Sequence, residues 1–178
     1  PADVVLAVDE AYYEFVRRPD FPDALALTRT RPGTVVLRTF STLYGMAGIR
    51  AGAAMARPDL LARLAGFSSG ALPSTGLVAA AASMRVATLV PERRKINADI
   101  RSETFAFLDK HNFKYVPSVS NKFMLDVRRP GHEFVDAMQR ENIWVGRVWP
   151  AWPTHVRITV GTREEMAKFQ KALLKVMA

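Results

Sequence analysis

Val4-Val-Leu-Ala-Val8 is an unbroken apolar run closed by an acidic residue, Asp9. A short continuous run of this kind, without alternation, is what a strand covered on both faces of a sheet requires. It directs the chain towards the α/β class. A second run of strand type, Thr34 to Thr39, follows about thirty residues later, after the loop signal Arg31-Pro-Gly33. A buried strand so near the first residue needs neighbours. We therefore expect the 178 residues to be a fragment or one piece of a longer protein, with exposed hydrophobic edges where further strands belong.

The rest of the chain alternates between the two periodicities. Arg17 to Pro22 reads as a polar turn and Asp23 to Thr28 as a short helix, and Ile49 to Ala56, small and apolar, suits a third strand. Arg57-Pro58-Asp59 opens a helix to about Ala65, with Pro58 in its first turn. Phe67 to Pro73 is a loop, and the alanine-rich stretch from Ser74 to about Leu89 is a buried helix with Ser74 or Thr75 as its cap. A long charged helix runs from Pro91 to about His111 and joins two structural regions. Beyond it we expect strands at Phe123 to Val127, Ile143 to Val148 and Thr154 to Val160. Helices are expected at His132 to Asn142 and Arg163 to Met177. The sheet of this tail is expected to be at least partly antiparallel.

Several function classes are disfavoured at this level. The chain has no cysteine, which removes disulfides, thiolate metal sites and cysteine nucleophiles. His111, His132 and His155 are too scattered for a metal site, so no metal is expected. The net charge of +8 is spread along the whole sequence, with Arg93-Arg94-Lys95 its longest basic run, so no nucleic-acid partner is expected. No apolar stretch approaches a membrane span and none has the layout of a signal peptide. A soluble cytoplasmic protein is the expectation.

The two apolar runs each lead into a dense motif. The first gives Val8-Asp-Glu-Ala-Tyr12. The second gives Arg38-Thr-Phe-Ser-Thr-Leu-Tyr-Gly-Met-Ala-Gly-Ile-Arg50. Neither is a dinucleotide fingerprint or a P-loop. Together they resemble the cofactor site of the class I/II (fold type I) aminotransferases that use pyridoxal 5′-phosphate, most closely the histidinol-phosphate aminotransferase group. The resemblance implies that Asp9 faces the pyridine nitrogen of the cofactor and that Tyr12 bonds its phenolic oxygen. It implies that Ser41 and Arg50 hold the phosphate, with Gly45 and Gly48 allowing a tight turn between them. The residue after the serine is, in the family, the lysine that bonds the cofactor covalently and moves protons in catalysis. Here it is Thr42, whose hydroxyl can do neither.

Near the end of the chain, His155-Val-Arg-Ile-Thr-Val-Gly-Thr162 resembles the family motif whose arginine grips the substrate's α-carboxylate, a role that falls to Arg157. Asn121 matches an asparagine on the substrate side, and Arg147 corresponds loosely to an arginine of the same region. The match spans the chain but only the second part of the family's usual length. It implies that residues 1–91 complete a large cofactor-binding domain with a mostly parallel sheet. Residues 92–178 would then supply a linking helix and a small C-terminal α/β domain. The implied activity is transfer of an amino group from an amino acid or amino phosphate to a 2-oxo acid, in a protein that is a homodimer when complete. With Thr42 in place of lysine, this chain is expected to be impaired. The alternative is a non-catalytic protein that binds pyridoxal or pyridoxamine phosphate, or another phosphate, without a covalent bond.

Overall fold

The computed structural model describes residues 3–67 and 70–178, which form two compact units, 1–94 and 95–178. The expected loop from Phe67 to Pro73 lies partly outside the described residues.

In the first unit, β1 (Leu6–Asp9) pairs in parallel with β2 (Thr34–Thr39), in a register that sets Asp9 opposite Leu37. Between them lies α1 (Ala24–Thr30), whose first turn is capped by Asp23: its carboxylate accepts the Leu25 N–H at 3.0 Å. β3 (Gly52–Met55) then runs antiparallel to β2. The sheet thus has one parallel and one antiparallel pair. The physical reason is the connection: the segment from Phe40 to Ala51 holds only a 3-10 turn, Ala47–Ile49, and no α-helix to carry the chain back across the sheet for a parallel return. β1 does not have the burial expected of it. Val4, Val5 and Leu6 are between 38% and 49% exposed, because β2 is the one strand that pairs with it among the described residues. Val35 and Val36 of the central strand are buried.

Two helices follow. In α2 (Pro58–Ala65) the proline stands in the first turn, where its missing N–H costs nothing. In α3 (Ser74–Met84) the cap position is Pro73, not Ser74 or Thr75, and no side chain caps the helix. α3 also ends five residues earlier than expected. Arg85 N–H bonds Ala82 O and Val86 N–H bonds Ser83 O, so the last turn tightens and the chain leaves the helix. The next helix, α4 (Leu89–Lys110), begins two residues before Pro91 for the same reason that α2 tolerates Pro58.

The second unit is a four-stranded, wholly antiparallel sheet of β4 (Lys114–Val116), β5 (Lys122–Asp126), β6 (Val148–Trp149) and β7 (Trp152–Thr159), in the order β4-β5-β7-β6. Against it stand α5 (Gly131–Arg140) and α6 (Arg163–Met177). Alternate residues of the central strands, Phe123 and Leu125 on one and Val156 and Ile158 on the other, are buried with Leu108, Phe134, Met138 and Leu173. α6 opens with a reciprocal capping box: Thr162 accepts the Glu165 N–H, and the Glu165 carboxylate accepts the Thr162 N–H. The expected strand from Ile143 to Val148 shrinks to two residues. Ile143 and Val145 are apolar because they pack on the core, not because they join the ladder.

No single helix among the described residues is long and apolar enough to cross a membrane.

Candidate functional site

Parallel pairing of β1 and β2 brings both motifs of the first unit to the carboxyl ends of adjacent strands, where open α/β sheets present ligands. Asp9 ends β1 with its side chain exposed, and one carboxylate oxygen accepts the Ala11 N–H at 3.0 Å. Tyr12, 37% exposed, follows on the same turn with its ring 6.2 Å from that of Phe15. Across from this turn, Ser41 is half-buried, and its backbone N–H bonds the Thr39 hydroxyl at 3.0 Å. Thr42 joins the two motifs: its hydroxyl donates to the Ala11 carbonyl at 2.8 Å. Asp9, Tyr12, Ser41 and Thr42 are therefore brought to one place by a strand pair and one cross-link.

Arg50 closes the second motif. It adopts a left-handed conformation, φ 61°, and one end of its exposed guanidinium donates to the Ala47 carbonyl at 2.8 Å. The tight backbone expected of two glycines belongs to Gly45, at φ 69°, and to Arg50 itself. Gly48 has no positive φ and an open space where a Cβ would stand. The turn is also held from α4, whose Arg93 donates to the Leu43 carbonyl at 3.1 Å.

Beneath these residues lies a charged cluster that sequence reasoning did not assign. Arg38 donates from Nε to Glu10 at 2.9 Å and lies 3.9 Å over the Tyr13 ring. Glu10 is only 6% exposed and Glu14 only 8%. Burial pushes the Glu14 carboxyl above its ordinary range, against the weaker pull of Arg38 and Arg94, and one of its oxygens is buried without a partner. Burial likewise raises the Tyr44 phenol, and its ring packs 4.7 Å from Phe40. The usable signal was the charge itself. Glu10 and Arg38 are opposite charges set into otherwise apolar strand ends, where neither is stable alone.

The second unit carries the other three candidates. Arg157 is half-buried on β7 opposite Met124, with its Nε buried and unpartnered. Its backbone N–H bonds the Arg147 carbonyl at 3.0 Å, and the two guanidinium groups lie 6.0 and 5.8 Å from the Trp149 ring. Both arginines line a cleft of about 700 Å³, with Trp144, 79% exposed, also on its wall. That volume suits a small-molecule ligand. Asn121 does not line this cleft. Its carbonyl accepts the Val160 N–H at 2.8 Å, its side-chain oxygen is buried without a partner, and the loop before it is held by Arg101, which donates to the Val119 and Ser120 carbonyls.

The donor set of the first unit fits a phosphorylated pyridine held non-covalently: a carboxylate, a phenol, a hydroxyl and a guanidinium that still has free edges. It does not fit covalent attachment, because the side chain at position 42 is a hydroxyl already engaged with Ala11. Among the described residues no cluster suits a metal ion.

Known proteins resemble the chain along its whole length. The family description "Aminotransferase class I and II" matches residues 2–173. Histidinol-phosphate aminotransferase 2 of Methylococcus capsulatus is 38% identical over 99% of this chain and 48% of its own length. The histidinol-phosphate aminotransferase of Symbiobacterium thermophilum is 35% identical over 97% of this chain and 48% of its own. The same fold occurs in the histidinol-phosphate aminotransferase of Sinorhizobium meliloti, solved with pyridoxal 5′-phosphate. It has a TM-score of 0.90 at 23% identity, covering 99% of this chain and 50% of the other. The chain thus spans about half the length of the relatives it matches.

Proposed function

Because the chain belongs to the class I and II aminotransferases, we propose that it forms part of a pyridoxal 5′-phosphate-dependent aminotransferase of the histidinol-phosphate type. Its substrates are small: an amino acid or amino phosphate as donor and a 2-oxo acid as acceptor. The observation that carries the reading is the union of the two motifs at the strand ends, Asp9 and Tyr12 on one and Ser41 and Thr42 on the other, fixed by the Thr42–Ala11 bond.

The residues divide the work by chemistry. Asp9 offers a carboxylate to the ring nitrogen, and Tyr12 a phenol to the ring oxygen. Ser41 gives a hydroxyl and Arg50 a planar, charge-assisted fork to the phosphate. When bound, the cofactor supplies an electron sink for carbanion chemistry. Arg157, next to the aromatic face of Trp149, offers a guanidinium to the substrate carboxylate, with Arg147 and Asn121 as further polar contacts. The Thr42 hydroxyl is too weak a base to take up a substrate proton near neutrality, so the step that needs a lysine amine at this position is unserved in this chain. We extend the reading to a cytoplasmic homodimer for the complete protein.

The engaged Thr42 hydroxyl also favours a second reading, a non-catalytic protein that keeps Asp9, Ser41 and Arg50 to hold pyridoxal or pyridoxamine phosphate without a covalent bond. One experiment addresses both. The chain and its Thr42→Lys variant are incubated with pyridoxal phosphate, reduced with borohydride and weighed intact. A single adduct at position 42, in the variant alone, supports the aminotransferase site. Reversible binding without any adduct, lost in Arg50→Ala, supports the second reading. No adduct and no binding in either protein refutes both for the chain as it stands.

A further inference from the structure

The ring-contacting residues proposed above, Asp9 and Tyr12, have neighbours that both touch one side chain. Glu10 follows Asp9, and its carboxylate accepts from Arg38 Nε at 2.9 Å. Tyr13 follows Tyr12, and its ring lies under the same guanidinium at 3.9 Å. The Glu10 side chain is 4% exposed and that of Arg38 24%, so the pair is shielded from water and the attraction is little screened. Glu10 is pinned a second time, since its backbone N–H bonds the Leu37 carbonyl at 2.8 Å. From there the hydrogen bonds run into the site. The next residue, Ala11, donates its N–H to the Asp9 carboxylate and accepts from Thr42.

We propose that Arg38 is the positioning residue of this site: by pairing with Glu10 and stacking on Tyr13 it sets the direction of Asp9 and Tyr12 against Ser41. The inference rests on the cofactor assignment above for its meaning, but its geometry stands on the contacts alone. Arg38 needs to be an arginine. A lysine keeps the charge for Glu10 but has no flat face to lie on Tyr13. Arg38 also pulls on the nearby Glu14 carboxyl, but burial outweighs that pull and pushes Glu14 above its ordinary range, and the ion pair itself is made with Glu10. Arg38 has no place in the proposed list of contacts to ligand. It acts through the residues beside those that touch.

The test uses the whole chain with pyridoxamine 5′-phosphate, which needs no lysine to bind. Arg38→Gln, Arg38→Lys and Glu10→Gln are compared with the parent and with Asp9→Asn. Binding is followed by the absorption band of the bound compound, which reports on the group facing its ring nitrogen. Backbone exchange at Glu10 and Ala11 is followed by hydrogen–deuterium mass spectrometry. The proposal expects Arg38→Gln to weaken binding roughly tenfold and to move the band in the direction that Asp9→Asn moves it. Arg38→Lys recovers part of both, and Glu10→Gln reproduces the Gln variant if Arg38→Gln fails to fold. Normal band and affinity in the folded variants overturn the proposal. If the parent binds nothing, the cofactor assignment fails and exchange decides the positioning role. Faster exchange at Glu10 and Ala11, with the strands of the second unit unchanged, sustains it. Unchanged exchange at both overturns it.

Discussion

At the scale of single residues, Glu14 is a group whose chemistry changes on folding. Unfolded, its carboxyl titrates near the ordinary value of 4.5; folded, burial holds it higher and leaves one oxygen unpaired. The native state therefore binds this proton more tightly than the unfolded chain does. Its contribution to stability is complete below pH 4.5 and is lost as pH rises through the folded value. Glu14→Gln removes the cost of burying a charge, and is expected to raise the melting temperature by about 3 °C at pH 7 and by nothing at pH 4. A thermal melt at the two pH values checks the sign. The quoted motifs were legible in the sequence because their chemistry is contiguous: Asp9 and Tyr12, and Ser41 through Arg50, lie within single short runs. Glu10, Glu14 and Arg38 were on view in the same runs but carried no assignment. Their partners stand 28 residues apart for the Arg38–Glu10 pair, and only the strand register closes that gap. Position 48 failed for a local reason: glycine permits a left-handed turn without requiring one, and Arg50 took it instead.

At the scale of elements, α3 packs on the turn before Arg50 through a single missing side chain. A Cβ at Gly76 would stand 2.9 Å from the Ile49 carbonyl oxygen and 3.7 Å from that of Arg50. Because the obstacle is backbone, the helix and the turn must part. Gly76→Ala is expected to cost about 1–3 kcal/mol and to weaken phosphate binding through a displaced Arg50. Denaturant unfolding and a phosphate titration measure the two effects. Helices with chemical punctuation were legible near their ends: Pro58 marks the start of α2, and α6 runs from Arg163 to Met177 behind its Thr162 cap. Elements failed where apolar pattern and hydrogen-bond ladder part company. Ile143 and Val145 pack half-buried on the core without being a strand, whereas β4 is a three-residue edge with one half-buried side chain. The antiparallel β3 follows from a connection without a crossover helix, which a strand-by-strand periodicity reading does not weigh.

At the scale of the whole molecule, the second unit holds a closed core on one side of its sheet, from Ile100 through Leu173, while the first leaves Leu6 of its outer strand, and Val4 and Val5 just before it, open to water. Backbone hydrogen exchange is accordingly expected to be slowest in β5 and β7 and fastest in β1. Equal protection of β1 and β7 would contradict this ordering of local stability. The division between the units has another consequence. On the proposed assignments every contact to cofactor lies before residue 94 and every contact to substrate after it, with α4 spanning the boundary. A single recombination event between related genes, anywhere in the codons for that helix, exchanges the substrate contacts assigned here as one group and leaves the cofactor contacts assigned here untouched. New preferences can then be inherited as a block, from a parent whose cofactor chemistry the offspring never received.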